Sequence, residues 1–360
     1  MKIHKKVIQK PDGRYWIQYG TKEIQVDTTS NKYGLARPDT WEAPTVRYNA
    51  MRGEYVAISA SRMNRPFLPP KEYCPLCPAK DIEVDGKLEH FESEVPENVA
   101  TYEWAVFENM YPALSKVNKT GRCEVVLYSP EHDSSLADQS KSHIQGLVKV
   151  WQDRSQALAK EEDVEQVFIF ENRGEEIGVT LNHPHGQIYA YHHIPAFLKQ
   201  EQSCAKEHHE KTGECLICHM VSKELNDKVR VIQETDNMVA FVPEAARFPY
   251  EVHISSKSHI PHIHGLSEEM TQELATLIKG TLHRYNTLFN QEMPYIMAHH
   301  QSPAKNPNDP TYHWHMELYP FFRSANKLKY LAGSESGAGF FVNDSIPEAK
   351  AEELKKIPLP

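Results

Sequence analysis

His183-Pro184-His185-Gly186-Gln187-Ile188-Tyr189 is the stretch from which the fold and the chemistry can both be read. Side chains alternate along an extended strand, so the spacing predicts His183, His185 and Gln187 on one face, turned toward one ligand. A neutral imidazole is nucleophilic at pH 7 without a strong base beside it. His185 is therefore a candidate for attack on a nucleotide phosphorus, through an adduct labile enough to pass the group onward. Gln187 can donate its amide to a phosphoryl oxygen as charge builds, but it cannot take a proton from water. That combination favours group transfer over hydrolysis. A bare His-x-His also fits a pair of surface histidines beside a Pro-Gly turn, and the residues around it have to decide.

They recur in a fixed order. Cys74-Pro75-Leu76-Cys77, Ser129-Pro130-Glu131-His132, a helical stretch and then His183-Pro184-His185-Gly186-Gln187 make one series. Cys215-Leu216-Ile217-Cys218, Ser256-Lys257-Ser258-His259, a helical stretch and then His313-Trp314-His315-Met316-Glu317 make a second. The offset is about 130 to 140 residues, a domain-sized duplication and not a short solenoid repeat. Ile144, Leu147, Val148 and Trp151 fall at helical spacing, as do Leu274, Leu277, Ile278, Tyr285 and Leu288, with Ser267-Glu268-Glu269 opening the second helix. Strands are predicted at 125–128, 167–170 and 187–191, and again at 251–255, 295–299 and 314–319. This grammar predicts an α+β fold of two tandem halves, antiparallel sheets with packed helices. The polar stretch Lys199–Gly213 marks a boundary, giving domains 1–198 and 199–360.

Two thiolates and two imidazoles fill a closed tetrahedral zinc site, and a Cys-x-x-Cys turn lets both sulfurs reach one ion. Cys74, Cys77, His132 and His183 are assigned to a first site, and by the repeat Cys215, Cys218, His259 and His313 to a second. A redox turn or two packed thiols is the competing reading for either pair alone. Metal on His183 would hold the strand that presents His185. Cys123 lies in the apolar run 123–128 and reads as a buried strand residue; Cys204 carries no signal.

Composition narrows the partners. The 360 residues allow two domains with sizeable cores, and 40% hydrophobic with 25% charged residues is that of a globular protein. A net charge of −9 without a basic run disfavours nucleic acid, while a locally basic pocket can still take small anions. Met1-Lys2-Ile3-His4-Lys5-Lys6 is followed by no apolar run of signal-peptide or membrane-spanning length, so no membrane association and a cytoplasmic location are expected.

The His183–Gln187 strand, the upstream Cys-Pro-Leu-Cys, the Ser129–His132 segment and the lead-in Glu171-Asn172-Arg173-Gly174-Glu175-Glu176-Ile177-Gly178 together resemble galactose-1-phosphate uridylyltransferases of the histidine-triad superfamily, from about Arg62 to Glu335. The resemblance implies a nucleotidyltransferase of galactose metabolism, a homodimer that exchanges UDP-glucose and UDP-galactose with hexose 1-phosphates through a uridylyl adduct on His185. It implies phosphate contacts from Arg62 and Arg65 across the dimer, uridine or ribose contacts from Asn109, and phosphate neighbours in Asn172, Gly178 and Thr180. Lys329 and Glu335 resemble sugar-phosphate ligands. The first 40 residues and the C-terminal tail carry no usable motif.

The chain departs from the family in its second half. Well-known members bind their second metal with one glutamate and three histidines, a set that Glu201, His300, His313 and His315 could imitate here, and the second site could then hold another divalent metal. The cysteine set is preferred because thiolates suit zinc. His315 mirrors His185, but Glu317 stands where Gln187 would be, so this half reads as a degenerate copy that lines the sugar pocket. Nucleotide phosphorylases acting on ADP-glucose resemble the chain as well, and a zinc-stabilised nucleotide-binding module without catalysis is the rival of another class.

Overall fold

The structure is a computed structural model that describes residues 1–25, 34–99 and 101–360. It divides into two compact units: Met1–Asp138, Ala157–Val167 and Thr180–Ala196 form the first, and Gln139–Gln156, Phe168–Val179 and Phe197–Pro360 the second. In chain order the principal strands begin with β1 (His4–Gln9), β2 (Tyr15–Gly20), β3 (Trp104–Glu108), β4 (Gly121–Leu127), β5 (Gln166–Arg173) and β6 (His185–Tyr191). They continue with β7 (Val231–Glu234), β8 (Met238–Phe241), β9 (Val252–Ser256), β10 (Tyr295–His300) and β11 (His315–Pro320). The helices are α1 (Lys141–Ala159), α2 (Ala196–Thr212), α3 (Leu216–Asp227), α4 (Glu268–Leu288) and α5 (Pro347–Lys355). All six strands and both helices expected from periodicity form.

In the first unit the strands lie in the order β1-β2-β3-β4-β6, each neighbour antiparallel. The β1–β2 hairpin comes from the N-terminal segment that had seemed to carry no motif. Its signal was Pro11-Asp12-Gly13 between two strand-forming runs, with Gly13 in the left-handed region at φ +83°. The hairpin brings Trp16 onto Phe107, ring centroids 5.5 Å apart and stacked. Lys10 Nζ and Arg14 Nη1 both reach Glu94, at 2.7 and 2.9 Å, with the three side chains almost wholly buried. Removing one member of such a buried cluster typically costs about 3–5 kcal/mol, because a charge is left uncompensated. The Cys74–Cys77 turn packs into the same core as Trp16, Phe107, Val125 and Leu127, so the two thiols are anchored by apolar burial.

The second unit repeats the plan, in the order β5-β10-β11-β9-β8-β7, again antiparallel throughout. Helix α4 buries Leu274, Leu277, Ile278 and Tyr285 completely. Ser267 caps it, Oγ accepting from the Met270 backbone N–H at 3.2 Å. The polar stretch read as a boundary is folded: it forms most of α2. It contains no glycine or proline before Gly213, and Glu207 pairs with Lys211 one turn on, so local propensity and charge spacing favour helix over linker.

Candidate active site

Strand β6 carries the two candidate residues His185 and Gln187 at alternate positions. His185, Gln187, Tyr189 and Tyr191 are half-buried on one face, while Gly186, Ile188 and Ala190 are buried on the other. His183 lies two residues ahead of His185, just before the strand. It sits in a bend ahead of the strand, wholly buried, with Nδ1 3.5 Å from Cys77 Sγ and Nε2 2.9 Å from the Ser129 carbonyl. A buried imidazole is thereby given a partner on both nitrogens.

The bend has a chemical consequence. His185 Nδ1 lies 2.7 Å from the His183 carbonyl oxygen, which can only accept, so Nδ1 carries the ring proton in the neutral imidazole. Nε2 then holds the lone pair. The backbone of a buried residue thus sets the tautomer of the half-exposed one.

His185 and Gln187 line a cavity of about 130 Å³ together with Arg65, Asn109 and Thr180, three of the other residues singled out from the sequence. Leu76, Phe107, Val125 and Leu181 supply apolar walls that the sequence reading missed. Phe107 and Gln187 both face Val125 across the ladder, so strand register gathers them, and only alternation within each strand hinted at their faces. Arg62 Nη1 donates to the Tyr111 carbonyl at 3.0 Å, and Asn109 Oδ1 accepts from the Tyr111 N–H at 2.8 Å. Asn172, on β5, and Gly178, in the left-handed region at φ +80°, belong to the second unit. So do Lys329 and Glu335, which bind each other at 2.6 Å, Lys329 Nζ also donating to the Val342 carbonyl at 2.7 Å.

Two metal-ligand quartets assemble. The donor atoms of Cys74, Cys77, His132 and His183 lie within 4.8 Å of one another, as do those of Cys215, Cys218, His259 and His313. Cys77 Sγ is 3.4 and 3.5 Å from the Nδ1 atoms of His132 and His183; Cys218 Sγ is 3.4 and 3.2 Å from those of His259 and His313. Zn–S and Zn–N bonds of ordinary length meeting at a tetrahedral angle put sulfur and nitrogen about 3.5 Å apart, so both quartets fit such an ion. Hydrogen bonding from the neighbouring cysteine pulls the Cys74 and Cys215 thiols below the ordinary thiol range. Burial, helped by His259, pushes the His313 imidazole down to about 3, which keeps it neutral as a ligand must be.

The alternative set of Glu201, His300, His313 and His315 is divided. His313 turns to the cysteines, His300 Nδ1 binds Glu201 at 2.8 Å, and His300 and His315 gather with Glu317. His315 copies His185 in one respect, its Nδ1 lying 3.1 Å from the His313 carbonyl.

Comparison with known proteins agrees with this arrangement. The family model for the galactose-1-phosphate uridyl transferase N-terminal domain matches residues 35–195, and that for the C-terminal domain matches 198–359. The chain belongs to the galactose-1-phosphate uridylyltransferase family. A galactose-1-phosphate uridylyltransferase of Thermotoga maritima is 37% identical, covering 86% of this chain and 98% of its own. A solved uridylyltransferase structure superposes with a TM-score of 0.76 at 32% identity over 86% of this chain and 97% of that one. An ADP-glucose phosphorylase from Arabidopsis thaliana with bound ADP-glucose reaches 0.68 at 27% identity over 89% and 100%. The antiparallel strands and packed helices of both units therefore have the fold of this family. Among the described residues no helix is long and apolar enough to cross a membrane.

Proposed function

We propose that this family member transfers a uridylyl group from UDP-glucose to galactose 1-phosphate through a covalent adduct on His185. The observation that carries the reading is the 2.7 Å contact between His185 Nδ1 and the His183 carbonyl, which puts the ring proton on Nδ1 and leaves the nucleophilic lone pair on Nε2. Nε2 attacks the α-phosphorus, a P–N bond forms, and the P–O bond to glucose 1-phosphate breaks. A phosphate oxygen of galactose 1-phosphate then attacks the same phosphorus, the P–N bond breaks, and UDP-galactose leaves. Both leaving groups are stable anions, so no general acid is required. Gln187, in the same cavity, donates its amide to the phosphoryl oxygen.

Arg62, Arg65, Asn109, Asn172, Gly178 and Thr180 are assigned to the nucleotide, and Lys329 and Glu335 to the sugar phosphate. A homodimer would bring the arginine segment of one chain to the nucleotide of the other; the exposure of Met63 and Phe67 at 88% and 72% beside Arg62 and Arg65 supports a covered surface there. Zinc is the proposed metal of both cysteine sites, where it would hold thiolates and imidazoles in place and fix the His183 backbone without entering the chemistry. A cytoplasmic location is consistent with six cysteines of which none is paired in a disulfide among the described residues.

Incubation with UDP-glucose labelled in the uridylyl group is expected to leave acid-labile, base-stable label on the wild-type protein and none on His185→Ala, whose turnover falls by about 10⁴-fold or more. Label persisting in the variant would refute the assignment, and no label on either protein would favour a binding module. The likeness to the Arabidopsis phosphorylase makes adenylyl transfer the second reading. Faster reaction of ADP-glucose with inorganic phosphate than of UDP-glucose with galactose 1-phosphate would select it.

A further inference from the structure

Where α2 gives way to α3, the second unit gathers three metal-binding side chains that neither quartet uses. Helix α2 stops at Thr212, whose Oγ1 donates to the His208 carbonyl at 2.9 Å and accepts the Glu214 N–H at 3.1 Å. Gly213, in the left-handed region at φ +75°, ends the helix, its N–H donating to the His209 carbonyl at 2.8 Å. Helix α3 begins after Cys215, and the His219 N–H donates to the Cys215 carbonyl at 3.0 Å. One donor atom each of His208, Glu214 and His219 lies within 4.8 Å of the others. The two imidazole rings are 5.2 Å apart, and His219 Nδ1 is 3.7 Å from Glu214 Oε2. A second observation is independent of that clustering. His208 Nε2 is shut away from solvent and has no hydrogen-bond partner. A polar atom buried in that way costs free energy unless something satisfies it, and a bound ion can do so.

The donor set decides which ion fits. Bonds of ordinary length meeting at a tetrahedral angle put nitrogen and oxygen ligands about 3.3 Å apart. Drawing the three groups in to that spacing moves Glu214 and His219, whose side chains are 67% and 54% exposed and so have room to turn. Two imidazoles and one carboxylate suit zinc, cobalt or nickel, whereas magnesium and calcium take oxygen ligands. Three protein ligands also leave a position open for water or an anion, unlike the two closed quartets. Glu214 and His219 directly flank Cys215 and Cys218 in the chain, and charge still permits a cation here. A divalent ion held by two thiolates and two neutral imidazoles has no net charge. Lys211 is engaged with Glu207 at 2.5 Å, which leaves the Glu214 carboxylate to attract the ion.

We propose that His208, Glu214 and His219 form a third metal site, open at one position, for a borderline divalent ion such as zinc, cobalt or nickel. The site shares no ligand with either quartet and does not depend on the uridylyl-transfer reading.

The test adds cobalt(II) to full-length protein already loaded with zinc and dialysed to constant metal content. We expect one further equivalent of cobalt per chain, with visible ligand-field absorption and without the near-ultraviolet thiolate-to-cobalt band of a cysteine site. His208→Ala, His219→Ala and Glu214→Gln should each weaken cobalt binding by about tenfold or more, because losing a ligand costs at least as much as losing a ligand's outer partner. Their zinc content should stay that of wild type. No cobalt beyond the zinc, cobalt bound only with the thiolate band, or cobalt held undiminished by both histidine variants would overturn the proposal. The wild-type cobalt count and spectrum decide the matter even if a variant fails to fold.

Discussion

Replacing Ser256 with alanine tests how the second quartet is held. Ser256 is completely buried, with Oγ 2.7 Å from His313 Nε2 and 2.9 Å from the Ser258 carbonyl. A hydroxyl has one proton and a carbonyl has none to give, so Oγ donates to Ser258 and accepts the Nε2 proton of His313. That leaves His313 Nδ1 unprotonated, 3.2 Å from Cys218 Sγ. In Ser256→Ala the buried Nε2–H loses its acceptor; Ser255 Oγ, at 3.5 Å, is too distant to replace it without movement. An orphaned buried donor costs about 1–3 kcal/mol. Loss of an outer partner of a metal-bound histidine typically weakens metal affinity about 10- to 100-fold, or about 1.4–2.7 kcal/mol, the same range. We expect zinc at the second site to bind about 30-fold more weakly. The first site is an internal control, because His183 Nε2 is held by the Ser129 backbone carbonyl, which this substitution does not touch. Competition with a chromophoric chelator at pH 7 resolves the two dissociation steps. Second-site affinity within about threefold of wild type, or equal weakening of both sites, would refute the tautomer argument.

Two further predictions concern stability and charge. Gly121 has φ +132°, and a Cβ added there would lie 2.1 Å from the Ala190 carbonyl oxygen on β6, so Gly121→Ala should destabilise the β4–β6 ladder by about 3 kcal/mol or more; an unchanged urea midpoint would sink this. The hydrogen bond from Lys329 holds the Glu335 carboxyl at about 2, against an ordinary 4.5. Such a depressed group contributes stability that is fully present above 4.5 and is lost as pH falls through about 2. Lys329→Met should return the Glu335 titration toward 4.5 and shrink that acid-side loss, and a ¹³C carboxyl titration still centred near 2 would disprove the pairing.

Much of the site was legible because its information is local. A Cys-x-x-Cys turn brings two sulfurs together within one turn of chain, and alternation along β6 puts His185 and Gln187 on one face whatever lies opposite. The duplication was visible as order and spacing, and it carried the second quartet by analogy with the first. The β1–β2 hairpin was missed although its turn signal was present, because no reacting residue drew attention to it.

Amino-acid order by itself determined the strand and helix periods, the two cysteine turns and the placing of His185 and Gln187 on one strand face, since each depends on residues a few positions apart. Only tertiary structure decided that His183 is buried between Cys77 and the Ser129 carbonyl, that His313 joins the cysteines and not His300, and that Leu76, Phe107 and Val125 wall the His185 cavity. Those choices join residues tens of positions apart, and strand register together with the burial of polar groups that each need a partner settles them.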